Sequence, residues 1–425
     1  MPAQLPSRRK IDIVCLALVL VVGIFLRLPH STFSDGANPL HMFEFAHPHS
    51  KVDALGFDEG LYRGYLITLI DGGLPSYPQI VEHYIELQAR LPKPILPPVR
   101  FLYIFSGYIW HLCFGTEALA SLNAVSSFFT ILTLVLSGIF AYRLAGRATG
   151  LAVTALMAFA PTQIHMSQHA LIDGFFTFWG LLSLWLLWEN LRAPRDWRWL
   201  GAYACALALL VLTKENSFFV WVALIAVMAV NRWLQFGKVT RELVVATVIG
   251  PIFGVVFLIL LAGGLHNLIE TYQLLVGKAS NAAYAVLTGD GPWYRYLVDL
   301  FLVSPIVLVL AIGTLFRLNR TMKPELFLSI FVAASYLVMC NVKYGMNLRY
   351  ANMWDMPLRF LAFSQIAALM QFSARYKGLL IAVGVAIVAA IEFRQYYILA
   401  VQYPLYELIT HELLRALNIL KVPPH

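Results

Sequence analysis

Apolar stretches recur along nearly the whole chain, separated by short breaks in which Arg, Lys, Asp and Glu collect. A helix rises about 1.5 Å per residue, so about 20 mostly apolar residues cross a hydrocarbon core roughly 30 Å thick. The pattern predicts spans at 11–28, 119–142, 148–163, 174–191, 199–213, 217–231, 243–263, 298–316, 325–341, 356–371 and 378–391, or eleven crossings. The first follows Arg8, Arg9 and Lys10 with no small-residue cleavage site behind it, so it reads as a retained span. One further apolar run, 99–114, follows Pro92, Pro94, Pro97 and Pro98 and is placed along the interface. The expected fold class is an all-α polytopic membrane protein, with residues 1–391 as the body and 392–425 as a short outer interfacial tail. Within the body, 29–118 is a first outer loop whose segments 53–69 and 77–91 suit amphipathic helices on the membrane surface.

Composition agrees with this reading. Hydrophobic residues make up 60% and charged residues 13%, whereas soluble domains carry about 25% charged residues. The placement of charge sets the topology. With 99–114 not crossing, sixteen Lys and Arg fall on the side of the N-terminus, against five in the short connections opposite. Basic residues favour cytoplasmic loops, so the N-terminus is expected inside and the C-terminus outside. The net charge of +8 includes no basic run or aromatic-basic interleaving suited to nucleic acid. Cys15, Cys113, Cys205 and Cys340 are scattered and read as small packing residues. No soluble stretch is long enough for a globular enzyme domain, so any chemistry must use the membrane body and its outer loops.

That topology gathers the notable polar groups on the outer side. Asp58 and Glu59 stand early in the first outer loop, Asp173 at the start of a span, and Lys214 and Glu215 at a turn between apolar runs. Lys343, Arg349 and Tyr350 follow the span ending near 341. Charges beside hydrocarbon are costly unless paired, hydrated or facing a cavity, so their recurrence at outer span ends points to a shared site. Asp58 is suited to act as a general base that takes the proton of an acceptor hydroxyl as its oxygen attacks an anomeric carbon. Lys214, Lys343, Arg349 and Tyr350 are candidates for holding a lipid phosphate leaving group. Glu59, Asp173 and Glu215 are suited either to orienting the acceptor or to pairing with those cations. Each group also has a plain structural reading: helix-end charge, cap, ion pair or interface anchor. His41, His47, His49 and His83 share the first outer loop without a ligand-spacing signature, and no metal ligand is assigned.

Five segments carry a family resemblance: Phe57-Asp58-Glu59-Gly60, Tyr142-Arg143-Leu144-Ala145-Gly146-Arg147, the Asp173 segment, Leu212-Thr213-Lys214-Glu215, and Arg349-Tyr350 with Pro357. Over residues 8–371 the chain resembles the GT-C glycosyltransferase superfamily, in its protein O-mannosyltransferase and aminoarabinose transferase-like branch (glycosyltransferase families 39 and 83). The resemblance implies a GT-C fold with interfacial helices in the first outer loop, a catalytic Asp at Asp58, a second acidic site at Asp173, and a donor that is a polyprenyl-phosphate sugar. The usual late Arg-Tyr-Leu-x-Pro-like segment is replaced here by Arg349-Tyr350-Ala351-Asn352-Met353-Trp354-Asp355-Met356-Pro357.

The expected function is therefore inverting transfer of a sugar from a lipid-linked donor to an acceptor hydroxyl at the non-cytoplasmic face. A transporter or flippase of an amphiphilic substrate is the alternative, and would favour an internal repeat and spans broken near the midplane. The expected partners are the donor, membrane lipids and a protein, lipid or glycan acceptor of unspecified identity, with no nucleic acid. No cofactor is assigned, and a divalent cation requirement is left open. The expected location is a bacterial inner membrane.

Overall fold

The computed structural model describes residues 6–34, 36, 38–49, 56–282, 286, 288–342, 346–372, 375–403, 405, 412 and 413. Every regular element among them is helical, and the chain is an integral membrane protein. Ala118–Ala145, Ser217–Leu234, Arg241–Leu261 and the continuous run Lys377–Gln402 are long and apolar enough to cross a bilayer. The last of these carries helix on past residue 391.

Local chemistry sets the ends. Glu117 caps Ala118–Ala145 by accepting the Leu119 and Ala120 N–H groups. Gly146, at φ 87°, ends that helix in a conformation that L side chains rarely adopt. Proline breaks two of the expected spans. The run at 148–163 divides into Arg147–Ala158 and Pro161–Ser167, with Ala160 extended before a proline that has no N–H to donate. The run at 298–316 divides at Ser304 and Pro305 into Arg295–Val303 and Pro305–Leu315.

The two amphipathic segments form the helices Phe57–Gly72 and Tyr77–Arg90. The proline-led run forms Phe101–Phe114, whose 14 residues extend about 21 Å, short of a full crossing. These three helices bury Tyr62, Leu66, Tyr77, Val81, Tyr103 and Ile104 against Phe175, Leu212, Leu258 and Leu268 of the bundle. The Leu102 N–H donates to the Leu212 carbonyl at 2.9 Å, which ties the third helix to the turn before Lys214. A larger apolar core joins the remaining helices, with Trp188, Tyr203, Phe327, Phe331 and Trp354 among its large members.

The bundle has two chemically distinct ends. At one, Arg147 pairs with Asp12 at 3.1 Å, Arg143 with Glu189 at 2.6 Å, and the Lys323 ammonium donates to the Leu234 carbonyl. At the other, Arg27 is wholly buried and donates to the Met157 and Ala158 carbonyls. Nearby, Arg359 bridges Asp355 and Glu392, and Gln163 donates to Asp355 at 2.7 Å. Breaking one partner of such a buried pair leaves an uncompensated charge, at a cost of about 3–5 kcal/mol. This network locks the late helices Asp355–Leu369 and Lys377–Tyr396 beneath the site described next.

Candidate active site

Four chain segments meet at the second end. The first turn of Phe57–Gly72 brings Asp58 and Glu59, and the first turn of Ile172–Arg192 brings Asp173. The turn between Trp197–Val211 and Ser217–Leu234 brings Lys214 and Glu215, and the 3-10 segment Leu348–Trp354 brings Arg349 and Tyr350. Lys343 lies outside the described residues.

The groups form one connected array. Arg349 Nη1 stands 2.9 Å from Asp58 Oδ2 and 3.8 Å from Asp173 Oδ2. Asp173 Oδ1 in turn accepts from Lys214 Nζ at 2.6 Å, and that ammonium lies 3.9 Å from the centre of the Tyr350 ring. Burial alone would draw the Lys214 ammonium down, and the Asp173 carboxylate opposes it only in part, leaving its pKa at about 8. Asp173 and Lys214 are sealed within the protein, whereas the Asp58 side chain keeps 21% exposure. Asp58 is thus the end of the array that an incoming molecule reaches.

Backbone and side-chain contacts fix each member. Gly174 has no room for a Cβ, which would stand 2.4 Å from Thr130 Cγ2; this lets the helix carrying Asp173 close against Ala118–Ala145. Asn352 donates to the Asp173 carbonyl at 2.8 Å, and Asn347 accepts the Arg349 N–H at 2.9 Å.

Glu59 has a different employment from Asp58. Its carboxylate accepts the N–H of Gly56 at 2.9 Å and that of Ala170 at 2.8 Å, with His169 Nδ1 at 3.5 Å. Burial would raise this carboxyl, but the His169 contact and the two N–H donors outweigh burial and hold it below the usual glutamate range. Glu59 therefore clamps the start of the Asp58 helix to the loop leading into Asp173.

Two neighbours were absent from the sequence-derived set. Arg100 makes a two-pronged contact with Glu215 at 2.8 and 3.2 Å and donates to the Tyr62 hydroxyl at 2.5 Å. Glu215 is thereby joined to Arg100 rather than to Lys214. His169 completes the Glu59 clamp. Both carried weak sequence signals: Arg100 closes a proline-rich stretch where an interface anchor is expected, and His169 stands four positions before Asp173. Three carboxylates, Asp58, Asp173 and Glu215, thus face three cations, Arg100, Lys214 and Arg349.

A helical bundle with interfacial helices in its first loop is the arrangement that the sequence resemblance implied. The family model for dolichyl-phosphate-mannose-protein mannosyltransferase matches residues 74–273, just under half of the chain. No curated protein matches by sequence. The chain is similar in structure to the Archaeoglobus fulgidus oligosaccharyltransferase in its apo form (TM-score 0.59, 12% identity), over 91% of this chain and 55% of that one. The same archaeal enzyme, in complex with an inhibitory peptide and a dolichol-phosphate, matches with TM-score 0.54 and 13% identity, over 93% of this chain and 56% of that one. ArnT from Cupriavidus metallidurans bound to undecaprenyl phosphate matches with TM-score 0.54 and 15% identity, over 91% of this chain and 75% of that one. The chain spans about half the length of the oligosaccharyltransferase. The chain shares the fold of these membrane proteins.

Proposed function

We propose that the protein is an inverting glycosyltransferase that moves a sugar from a polyprenyl-phosphate donor to an acceptor hydroxyl. The observation that carries this reading is the Asp58–Arg349–Asp173–Lys214 array, in which a partly exposed carboxylate adjoins one buried cation and a buried carboxylate links that cation to a second. A site of this composition suits a reaction that removes a proton at one point and develops phosphate charge at another.

In this scheme the donor phosphate competes with Asp58 for Arg349, while Lys214 adds a second positive charge. Asp58, released from its ion pair, accepts the proton of the acceptor hydroxyl as that oxygen bonds to the anomeric carbon. The bond from that carbon to the phosphate oxygen breaks, and polyprenyl phosphate departs as an anion that needs no proton. Attack opposite the leaving group inverts the anomeric configuration. Glu59 positions Asp58, and Arg100 holds Glu215 at the edge. Lys343 remains a candidate second contact to the phosphate. The undecaprenyl phosphate bound to ArnT and the dolichol-phosphate bound to the archaeal enzyme support a lipid phosphate as the leaving group.

The basic residues at the opposite end of the bundle favour the cytoplasm, so in this reading the site faces the non-cytoplasmic side, and a bacterial inner membrane is the proposed location. The proposed organisation is a body at 1–391 with its loop at 29–118 and eleven crossings, the last helix continuing to Gln402.

The phosphate assignment is tested by measuring undecaprenyl phosphate binding to the purified protein in lipid nanodiscs. Arg349→Ala and Lys214→Ala each weaken it by about tenfold or more, the loss of one charge-assisted contact. Wild-type affinity in both variants would remove the phosphate role from these residues.

A further inference from the structure

Away from the array, the beginning of the first outer loop folds three histidines together. His30 follows the helix Pro6–Arg27, while His47 and His49 flank Pro48 after the 3-10 segment Pro39–Ala46. One ring nitrogen from each lies within 4.8 Å of the others. The His30 and His49 rings stack at 3.8 Å, and His47 stacks on Phe33 at 4.3 Å. His47 is 3% exposed, and both of its ring nitrogens are buried without a hydrogen-bond partner; His30 Nδ1 is in the same condition. A buried polar atom without a partner is uncommon and costs about 1–3 kcal/mol. Three of them among stacked imidazoles call for a ligand.

We propose that His30, His47 and His49 form a zinc site that is separate from the transfer chemistry. Three neutral imidazole nitrogens are a donor set suited to Zn²⁺, which takes a fourth ligand to complete a tetrahedron. The surroundings supply the outer contacts that orient metal-binding histidines. His49 Nδ1 stands 3.2 Å from the His47 carbonyl, which leaves Nε2 for the metal. His30 Nε2 lies 3.9 Å from Glu44, which leaves Nδ1. The Phe25 carbonyl faces the His47 ring without completing a hydrogen bond. Water supplies the fourth position. Of the histidines the sequence grouped, His41 is instead directed to the Phe33 carbonyl and Glu44, and His83 is exposed on another helix.

Zn–N bonds of about 2.0–2.1 Å require the three donors to draw in from their present separation. Half-exposed His30 and His49 give the ion a route, and the buried His47 provides a fixed anchor. The site acts as a clip. Pro48, between two of the ligands, has its carbonyl bound by Gln168 Nε2 at 3.0 Å and by the Tyr396 hydroxyl at 2.9 Å. Gln168 adjoins His169 of the Glu59 clamp, so zinc would fasten the loop start to the end of the first helix and to the scaffold beside the array.

The test uses the full chain, purified without a histidine tag, stripped with a chelator and re-equilibrated at micromolar free zinc. Elemental analysis should find one zinc per wild-type chain, and zinc should raise the thermal midpoint. His30→Ala and His49→Ala, both partly exposed, should each bind at least tenfold more weakly and lose that rise. Asp58→Asn and His83→Ala should bind as wild type does. Wild type that retains no zinc, or His30→Ala and His49→Ala that retain it fully, would overturn the site. Loss of zinc in Asp58→Asn would move the metal to the catalytic array and equally overturn the proposal.

Discussion

Lys214 carries the clearest pH signature. In the proposed scheme its protonated form holds the phosphate, and burial brings its pKa down to about 8 from the usual lysine range near 10.5. The sign follows directly: below about 8 the ammonium is charged and affinity for undecaprenyl phosphate is level. Above it the charge is lost, and affinity falls by up to about tenfold per pH unit. Lys214→Arg, charged throughout, should flatten the profile between pH 7 and 10. A wild-type profile already flat over that interval would show that Lys214 does not bind the phosphate in its charged form. Glu59 makes a different prediction because both of its oxygens accept backbone N–H groups. Glu59→Gln sets an amide NH₂ against one of these donors, at a cost of about 1–3 kcal/mol in stability. Turnover should drop while donor affinity holds, since only the Asp58 helix start is displaced. A loss of affinity with turnover unchanged would mark Glu59 as a donor contact.

Asp58, Asp173, Lys214 and Arg349 were all legible in the sequence as charges interrupting apolar runs at the ends of elements. Their pairing was not legible. Glu215 reads as the partner of its neighbour Lys214, but a turn points adjacent side chains in different directions, and Glu215 meets Arg100, 115 positions away. Arg27, Arg359 and Glu392 were silent because charges inside apolar segments reveal their partners only once distant helices pack.

At the scale of elements, the site depends on how closely two helices approach. Thr130 Cγ2 occupies the space in front of Gly174, one residue beyond Asp173. Gly174→Ala should therefore separate Ile172–Arg192 from Ala118–Ala145, cost about 1–3 kcal/mol and reduce sugar transfer. Thr130→Ser removes the obstructing methyl but keeps the hydroxyl that donates to the Ser126 and Ser127 carbonyls. The double variant should regain stability and activity. Failure of this rescue, with each chain folded, would show that the close approach does not set the position of Asp173. The same scale explains where the hydropathy pattern divides differently from the helices. Apolarity runs straight through Pro161 and Pro305, but the backbone does not, because each proline lacks an N–H and constrains the residue before it. The surface helices were easier to anticipate: Phe57–Gly72 and Tyr77–Arg90 carry helical spacing between clear breaks, and Phe101–Phe114 is too short to span the core.

Across the whole molecule, basic loops occupy one end of the bundle and the acidic-basic array the other, so one topology accounts for both orientation and site. The first-loop helices pack against the bundle beside the array, where the proposed scheme brings a membrane-borne donor and an aqueous acceptor together. Transfer differs from mere movement of a lipid-linked sugar in that transfer breaks the sugar–phosphate bond whereas movement leaves it whole. The most direct measurement is release of polyprenyl phosphate, followed by mass spectrometry, from a panel of polyprenyl-phosphate sugars with the protein in lipid and candidate acceptors present. Wild type should release it from one donor, and folded Asp58→Asn should do so about 10²–10⁴-fold more slowly, the usual contribution of a general base. Equal release by Asp58→Asn, or wild type that binds the donors and carries them across the bilayer intact, would contradict the account.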